Sequence, residues 1–146
     1  MDKLILKYEF DPSYHDESLP RDDFGRLSLQ FENEHFSGSG GFWVQWQDVA
    51  EFGEKLSQYP IKEDEPIKAQ WGYEMQVGDD LILRIVIAPK NKIGDLNVSV
   101  VIADDYDQSQ RLQASFRTGY PALQIFREDI SKLMKEEVSE AVLHGF

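Results

Sequence analysis

Two segments near the start of the chain, 3–10 and 27–32, alternate apolar and polar residues with a period of two. This period is typical of a strand with one buried and one solvated face. The apolar positions are Leu4, Leu6, Tyr8, Leu27, Leu29 and Phe31. A third strand is predicted from Phe42, Val44 and Trp46. The glycine-rich run 37–41 before it predicts a flexible hairpin turn and not a phosphate loop, because a strand and not a helix follows.

A helix is predicted directly after the third strand. Asp48 and Glu51 have the spacing of a capping box, in which a side-chain oxygen accepts a hydrogen bond from a free amide at the helix start. The apolar stripe of this helix is Val49, Phe52 and Leu56. Gly53 should weaken the helix by about 1 kcal/mol relative to alanine, although tertiary packing usually decides.

Four more alternating segments follow, at 67–75, 81–88, 96–103 and 110–118. The breaks between them are too short for a parallel crossover, which needs about a dozen residues. The segments therefore predict an antiparallel meander.

The period changes again near the C-terminus. Pro121 suits the first turn of a helix, since its missing amide hydrogen is not needed there. The apolar stripe that follows is Leu123, Phe126, Ile130, Leu133 and Met134, and it predicts a helix that extends through Val138, Ala141 and Val142. We therefore expect one α+β domain over residues 1–146, with an antiparallel sheet of six to seven strands and two helices on its apolar side.

The charge balance narrows the function classes. The 146 residues include 15 basic and 27 acidic ones, a net charge of −12, which excludes a general nucleic-acid binder. Apolar residues make up 41%, enough for a folded core, and there is no cysteine to form disulfides or thiolate sites. The opening residues lack the apolar run of a signal peptide or membrane span, so we expect a cytoplasmic protein without membrane contact.

No catalytic or metal-binding pattern stands out. Asp104, Asp105 and Asp107 share one turn but lack the alternating ligands and distal Glu of a calcium loop, so a solvated acidic turn is expected. His15, His35 and His144 do not have metal-ligand spacing. We expect no catalytic residues, no cofactor and no metal.

Negative charge is the strongest functional signal. Six acidic residues lie between Glu9 and Asp23, in a stretch 11–23 that we expect to be a mobile loop. Such charge serves solubility, but it can also steer a basic partner into contact. Alternation places Trp43 on the face opposite the core, where its ring could touch a partner. The candidate contact residues are Asp16, Glu17, Asp22, Asp23, Trp43, Asp104, Asp105 and Asp107.

The order of features resembles the WapI-type bacterial immunity proteins. The resemblance runs from about Leu27 to Met134 and rests on Ser-Gly-Ser-Gly-Gly-Phe-Trp at 37–43, the Asp48-Val-x-x-Phe52 helix start, and Ser-Phe-Arg-Thr at 115–118 before the last helix. It implies a non-enzymatic protein that binds and neutralises a cognate toxin, often a nuclease. The stretch 11–23 does not belong to the matching part.

Two other functions stay open. Exposed tryptophans, Trp43 or Trp71, would suit a small-ligand or carbohydrate-binding module. An undetected hydrolase is the third possibility.

Overall fold

The computed structural model describes residues 1–11 and 23–146. These residues contain eight strands and two α-helices, and a single 3-10 turn at Gly78–Asp80. The elements in chain order are β1 (Lys3–Phe10), β2 (Phe24–Glu32), β3 (Ser37–Gln45), α1 (Trp46–Lys55), β4 (Ile67–Gly72), β5 (Leu81–Pro89), β6 (Asp95–Ala103), β7 (Arg111–Gly119), α2 (Tyr120–Met134) and β8 (Ala141–His144).

The strands form two antiparallel sheets of four. The first has the order β3-β2-β1-β8 and the second the order β4-β5-β6-β7. The predicted α+β class is confirmed, and the second sheet is the predicted meander. The expected single sheet of six to seven strands is corrected to two sheets with eight strands. Alternation identifies a strand, but it carries no information on which sheet the strand joins.

One cluster of buried side chains takes residues from both sheets and both helices. The sheets meet through β3, which contacts β5 and β6, while α1 packs on β3 and β4 and α2 packs on β1, β7 and β8. The buried faces of β1 and β2 carry the predicted residues Leu4, Leu6, Tyr8, Leu27, Leu29 and Phe31. Neither helix in the described part of the chain is long and apolar enough to span a membrane.

The glycine-rich run 37–41 is the first half of β3 and not the expected hairpin turn. The turn lies one step earlier, at 33–36, where the Asn33 N–H donates to the Phe36 carbonyl at 2.9 Å. A Cβ atom on Gly38 would lie 2.8 Å from the Leu112 side chain, and one on Gly40 would lie 2.8 Å from the Ala103 carbonyl oxygen. Gly40 is therefore required for close packing between the sheets, because its neighbour is backbone, whereas the Leu112 side chain beside Gly38 can shift; neither glycine serves a turn.

The predicted capping box at α1 is wrong. The helix begins at Trp46 with Gln45 as its N-cap, which makes no side-chain cap hydrogen bond, and Asp48 lies inside the first turn. Burial, together with the charge of Glu51, raises the pKa of Asp48, whereas a carboxylate that caps amides would have a lowered pKa.

Gly53 is buried where the two helices cross. A Cβ atom at this position would lie 2.9 Å from Cγ2 of Ile130 on α2. The predicted apolar stripe of α1, Val49, Phe52 and Leu56, is buried as expected. Gly53 thus lowers the helix propensity of α1 but allows the two helices to cross closely.

The predicted extension of α2 through Val142 is also wrong. The helix ends at Met134, and Glu136 takes a positive φ of 60° that a continuing helix does not allow. Residues 141–144 then form β8, which pairs with β1 and buries Ala141 and Leu143. The sequence did not predict β8 because four alternating residues are too short a signal after a long segment with helical spacing.

Truncation of buried helix residues tests the packing. We expect Phe52→Ala and Leu133→Ala each to lower the free energy of unfolding by about 2–5 kcal/mol, since each leaves a cavity against the sheets. Ile125→Ala is the matched control on α2, because Ile125 is exposed, and should change it by less than about 0.5 kcal/mol. Urea unfolding measures all three. Equal midpoints for Leu133→Ala and Ile125→Ala would contradict this packing.

Candidate interaction surface

The turn between β6 and β7, residues 104–110, is closed by backbone hydrogen bonds. The Asp104 N–H donates to the Gln110 carbonyl at 2.9 Å, and the Gln110 N–H donates to the Asp107 carbonyl at 3.0 Å. We call this segment the acidic turn. Its ends are held by the β6–β7 pair, in which Ala103 lies opposite Arg111.

Two aspartates organise the acidic turn with their own carboxylates. Asp104 accepts a hydrogen bond from the Tyr106 N–H at 3.0 Å, and Asp107 accepts from both the N–H and the hydroxyl of Ser109. These two bonds from Ser109 lower the pKa of Asp107. Both side chains therefore hold the local backbone, as Asp does in many turns.

The third aspartate connects the acidic turn to β2 and to Tyr73, the residue that follows β4. The carboxylate of Asp105 accepts a hydrogen bond from Nη1 of Arg26 on β2 at 3.0 Å. The carbonyl of Asp105 accepts one from the Tyr73 hydroxyl at 2.8 Å. The Tyr73 ring in turn stands edge-on to Phe42 of β3, with centroids 5.2 Å apart. The turn is therefore fixed from two sides.

Arg26 reaches Asp105 because β3 has no side chain at Gly41. A Cβ atom on Gly41 would lie 2.9 Å from Nε of Arg26. Trp43 lies directly opposite Arg26 in the β2–β3 register and is 51% exposed. The predicted position of Trp43 off the main core is confirmed.

Two exposed aromatic side chains flank this link, Trp43 opposite Arg26 in the register and Tyr106 next to Asp105 in the chain. Tyr106, between Asp105 and Asp107, is 90% exposed. A groove of about 540 Å³ lies between the glycine-rich half of β3 and the acidic turn. We use the name aromatic–acidic surface for the residues Arg26, Trp43, Asp104, Asp105, Tyr106 and Asp107.

The other sequence-predicted contact residues are placed as follows. Asp23 is exposed just before β2, where its carboxylate accepts a hydrogen bond from Gln47 at 2.9 Å. Asp16, Glu17 and Asp22 lie outside the described residues, as does most of the predicted loop 11–23. Asp104, Asp105 and Asp107 share the acidic turn, and Asp105 alone among them bonds to Arg26, which lies opposite Trp43 in the β2–β3 register.

Sequence reasoning missed Tyr106 and Arg26 as members of this surface. An aromatic residue inside an acidic turn is a usable signal for an exposed contact residue. Arg26 and Asp105 are 79 positions apart, and no local pattern reveals that pair.

Little in the described residues suits an acid–base pair. Nε2 of His35 lies 4.0 Å from the Glu34 carboxylate in the β2–β3 turn, where both side chains are exposed to solvent. Asp48 lies in α1 beyond the other end of the nine-residue β3, roughly 26 Å from His35 at strand spacing. Trp71 is only 8% exposed and packs edge-on to Phe52, so it offers no stacking face. In residues 1–11 and 23–146 no three His, Asp or Glu side chains converge as a metal site.

No protein-family model, no curated protein and no solved structure matches this chain.

A double-mutant cycle tests the link between sheet and turn. We expect Arg26→Gln and Asp105→Asn to show a coupling energy of about 1 kcal/mol, because the pair is partly buried and hydrogen-bonded. The control cycle is Glu51→Gln with Lys55→Gln, an exposed pair at 3.8 Å that should couple by less than about 0.5 kcal/mol. Urea unfolding at low salt gives both values. Equal coupling in the two cycles would show that Arg26 does not hold the turn.

Proposed function

We propose that this protein is a non-enzymatic binding protein of the immunity type, which neutralises a basic toxin by covering it with the aromatic–acidic surface. The observation that carries the proposal is the position of Tyr106. This ring is 90% exposed at the tip of a turn whose backbone and carboxylates are held by hydrogen bonds. The resemblance of the sequence to WapI-type immunity proteins supports the same function.

Order in the turn matters for affinity. A side chain on a mobile loop loses conformational freedom on binding, at about 0.5–1.5 kcal/mol for each immobilised side chain. Tyr106 follows Asp105, which Arg26 and Tyr73 hold in place. The backbone of the acidic turn is therefore already ordered before a partner binds, and binding loses less conformational entropy there. Tyrosine and tryptophan are also the residue types that most often dominate interface energies.

Charge determines the class of partner. The chain carries −12, and Asp104, Asp105 and Asp107 surround Tyr106. Such a surface attracts a cationic protein and repels an anionic one, and the attraction acts mainly on the association rate. A nuclease toxin is a fitting partner because its substrate-binding surface must be basic.

Co-expression tests the function directly. The reading frames on either side of the gene would each be expressed with and without this protein. We expect one product to arrest growth by itself and to be harmless together with this chain. If none of the flanking products is toxic, or if toxicity persists with the chain present, the proposal fails.

Single substitutions test the surface. We expect Tyr106→Ala to weaken binding of the co-expressed toxin by about 30-fold or more, which corresponds to the loss of a dominant contact. Ile93→Ala is the control, because Ile93 is 84% exposed and lies outside the surface. Calorimetric titration measures affinity, and urea unfolding checks that neither variant loses stability. A similar loss for both variants would remove Tyr106 from the interface.

The exposure of Trp43 keeps a small-ligand or carbohydrate-binding function as the second candidate. Aromatic rings that stack on sugars are partly exposed, as this indole is. Saturable quenching of tryptophan fluorescence by oligosaccharides, lost in Trp43→Phe, would favour this function. An unchanged spectrum would count against it.

A further inference from the structure

Strand β3 is the edge of the first sheet. Along it, residues whose backbone groups bond to β2 alternate with residues whose backbone groups face outward. The Trp46 N–H bonds to the Asp23 carbonyl at one end of the β2–β3 pair, and the Asn33 N–H bonds to the Phe36 carbonyl at the other. Bonded pairs alternate with non-bonded pairs along an antiparallel ladder. By the register between these ends, Gly38, Gly40, Phe42 and Val44 bond to β2. The backbone groups of Ser37, Ser39, Gly41 and Trp43 therefore point away from the sheet.

This free edge has no protection of the usual kind. Edge strands are normally guarded by lysine, proline or a bulge, whereas residues 37–43 contain no charged residue and no proline, and the β2–β3 register is unbroken. Among the described residues, no hydrogen bond uses the outward backbone groups of Ser37, Ser39, Gly41 or Trp43.

The edge opens into a groove that can take an extended chain. The 540 Å³ groove is lined on one side by residues 37–41 and on the other by Asp104, Asp105, Tyr106 and Arg111. Ser37 and Ser39 are exposed. With glycine at 38 and 40, few side chains obstruct a strand that approaches the edge along residues 37–40. Gly41 is buried against the Arg26 side chain, so the open part of the edge ends before it.

We infer that β3 accepts an extended, basic segment of the partner protein as an additional antiparallel or parallel strand of the first sheet. Strand addition of this kind takes its affinity from main-chain hydrogen bonds and its specificity from alternate side chains. The inference rests on the proposed function, and it names how the partner is bound at that surface.

Charge favours a basic segment of a partner over a second copy of this chain as the strand that pairs with β3. Pairing of β3 with β3 would bring together two molecules of charge −12, each with its acidic turn beside the shared edge. A basic segment meets attraction at the same place, from Asp104 and from the exposed Asp107. Arg26 in the groove is already paired with Asp105, and the Arg111 guanidinium donates to the Gly78 carbonyl.

Proline at position 39 tests the edge. The Ser39 N–H points outward, so Ser39→Pro removes a donor from the free edge and no bond between β2 and β3. Ser39→Ala is the matched control, since it removes the hydroxyl but keeps the N–H. Circular dichroism and urea midpoints establish that both variants fold. Ser37→Pro, at the first residue of the strand, is the second edge variant if Ser39→Pro does not fold.

The probe is a phage-displayed library of random dodecapeptides, followed by the enriched peptides in synthetic form. We expect the selected peptides to be enriched in Lys or Arg and to alternate β-forming residues. The synthetic peptides should bind Ser39→Pro at least tenfold more weakly than wild type. Their affinity for Ser39→Ala should be within about twofold of wild type. Amide hydrogen exchange should slow at Ser37 and Ser39 when peptide binds, because these two outward amides line the groove and are exposed. The amides of Gly38, Gly40 and Phe42, already bonded to β2, should exchange slowly in both states.

Several results would overturn strand addition. They are the absence of enriched peptides, equal binding by Ser39→Pro, protection confined to residues outside β3, or a dimer in sedimentation that already protects the edge amides. The toxin from co-expression separates this inference from the proposed function. Equal affinity of that toxin for wild type and Ser39→Pro overturns strand addition and leaves neutralisation intact. Peptide binding at the edge, in the absence of any toxic flanking product, supports strand addition and overturns neutralisation of a toxin.

Discussion

Close packing of β3 on the end of the second sheet is the constraint on which the rest of this structure depends. Gly38 and Gly40 have no side chains where Leu112 and Ala103 approach within 2.8 Å of a Cβ position. Larger residues would push β3 away from β6 and β7. The acidic turn, which connects those two strands, would then move away from the first sheet as well.

The polar contacts depend on that approach. Arg26 extends across Gly41 to Asp105, and Tyr73 reaches the Asp105 carbonyl while its ring packs on Phe42. Asp105 thus receives hydrogen bonds from β2 of the first sheet and from Tyr73, the residue that follows β4 of the second. The result is a turn with a defined conformation, although it is short, polar and at the surface, where loops are usually mobile.

The same glycines leave the outer edge of β3 without large side chains. The close packing and the proposed binding edge therefore depend on the same residues. A strand with bulky or charged side chains would guard its outward amides, whereas the segment 37–41 offers only two serine hydroxymethyl groups. The open edge and the ordered acidic turn with its exposed Tyr106 line one groove, and the exposed Trp43 lies opposite Arg26 in the β2–β3 register. Each feature alone is common on protein surfaces, and their combination is the basis on which we propose recognition of an extended basic chain.

The pattern of apolar residues by itself determined the α+β class, the meander and the buried faces of both helices, because alternation and helical spacing are local consequences of backbone geometry. It also placed Trp43 away from the core. Only the tertiary structure decided that the strands divide into two sheets, that the glycine run is a strand, and that 141–144 pairs with β1. It alone brought Arg26 to Asp105. These features depend on contacts between residues far apart in the chain, for which a single sequence has no local signal.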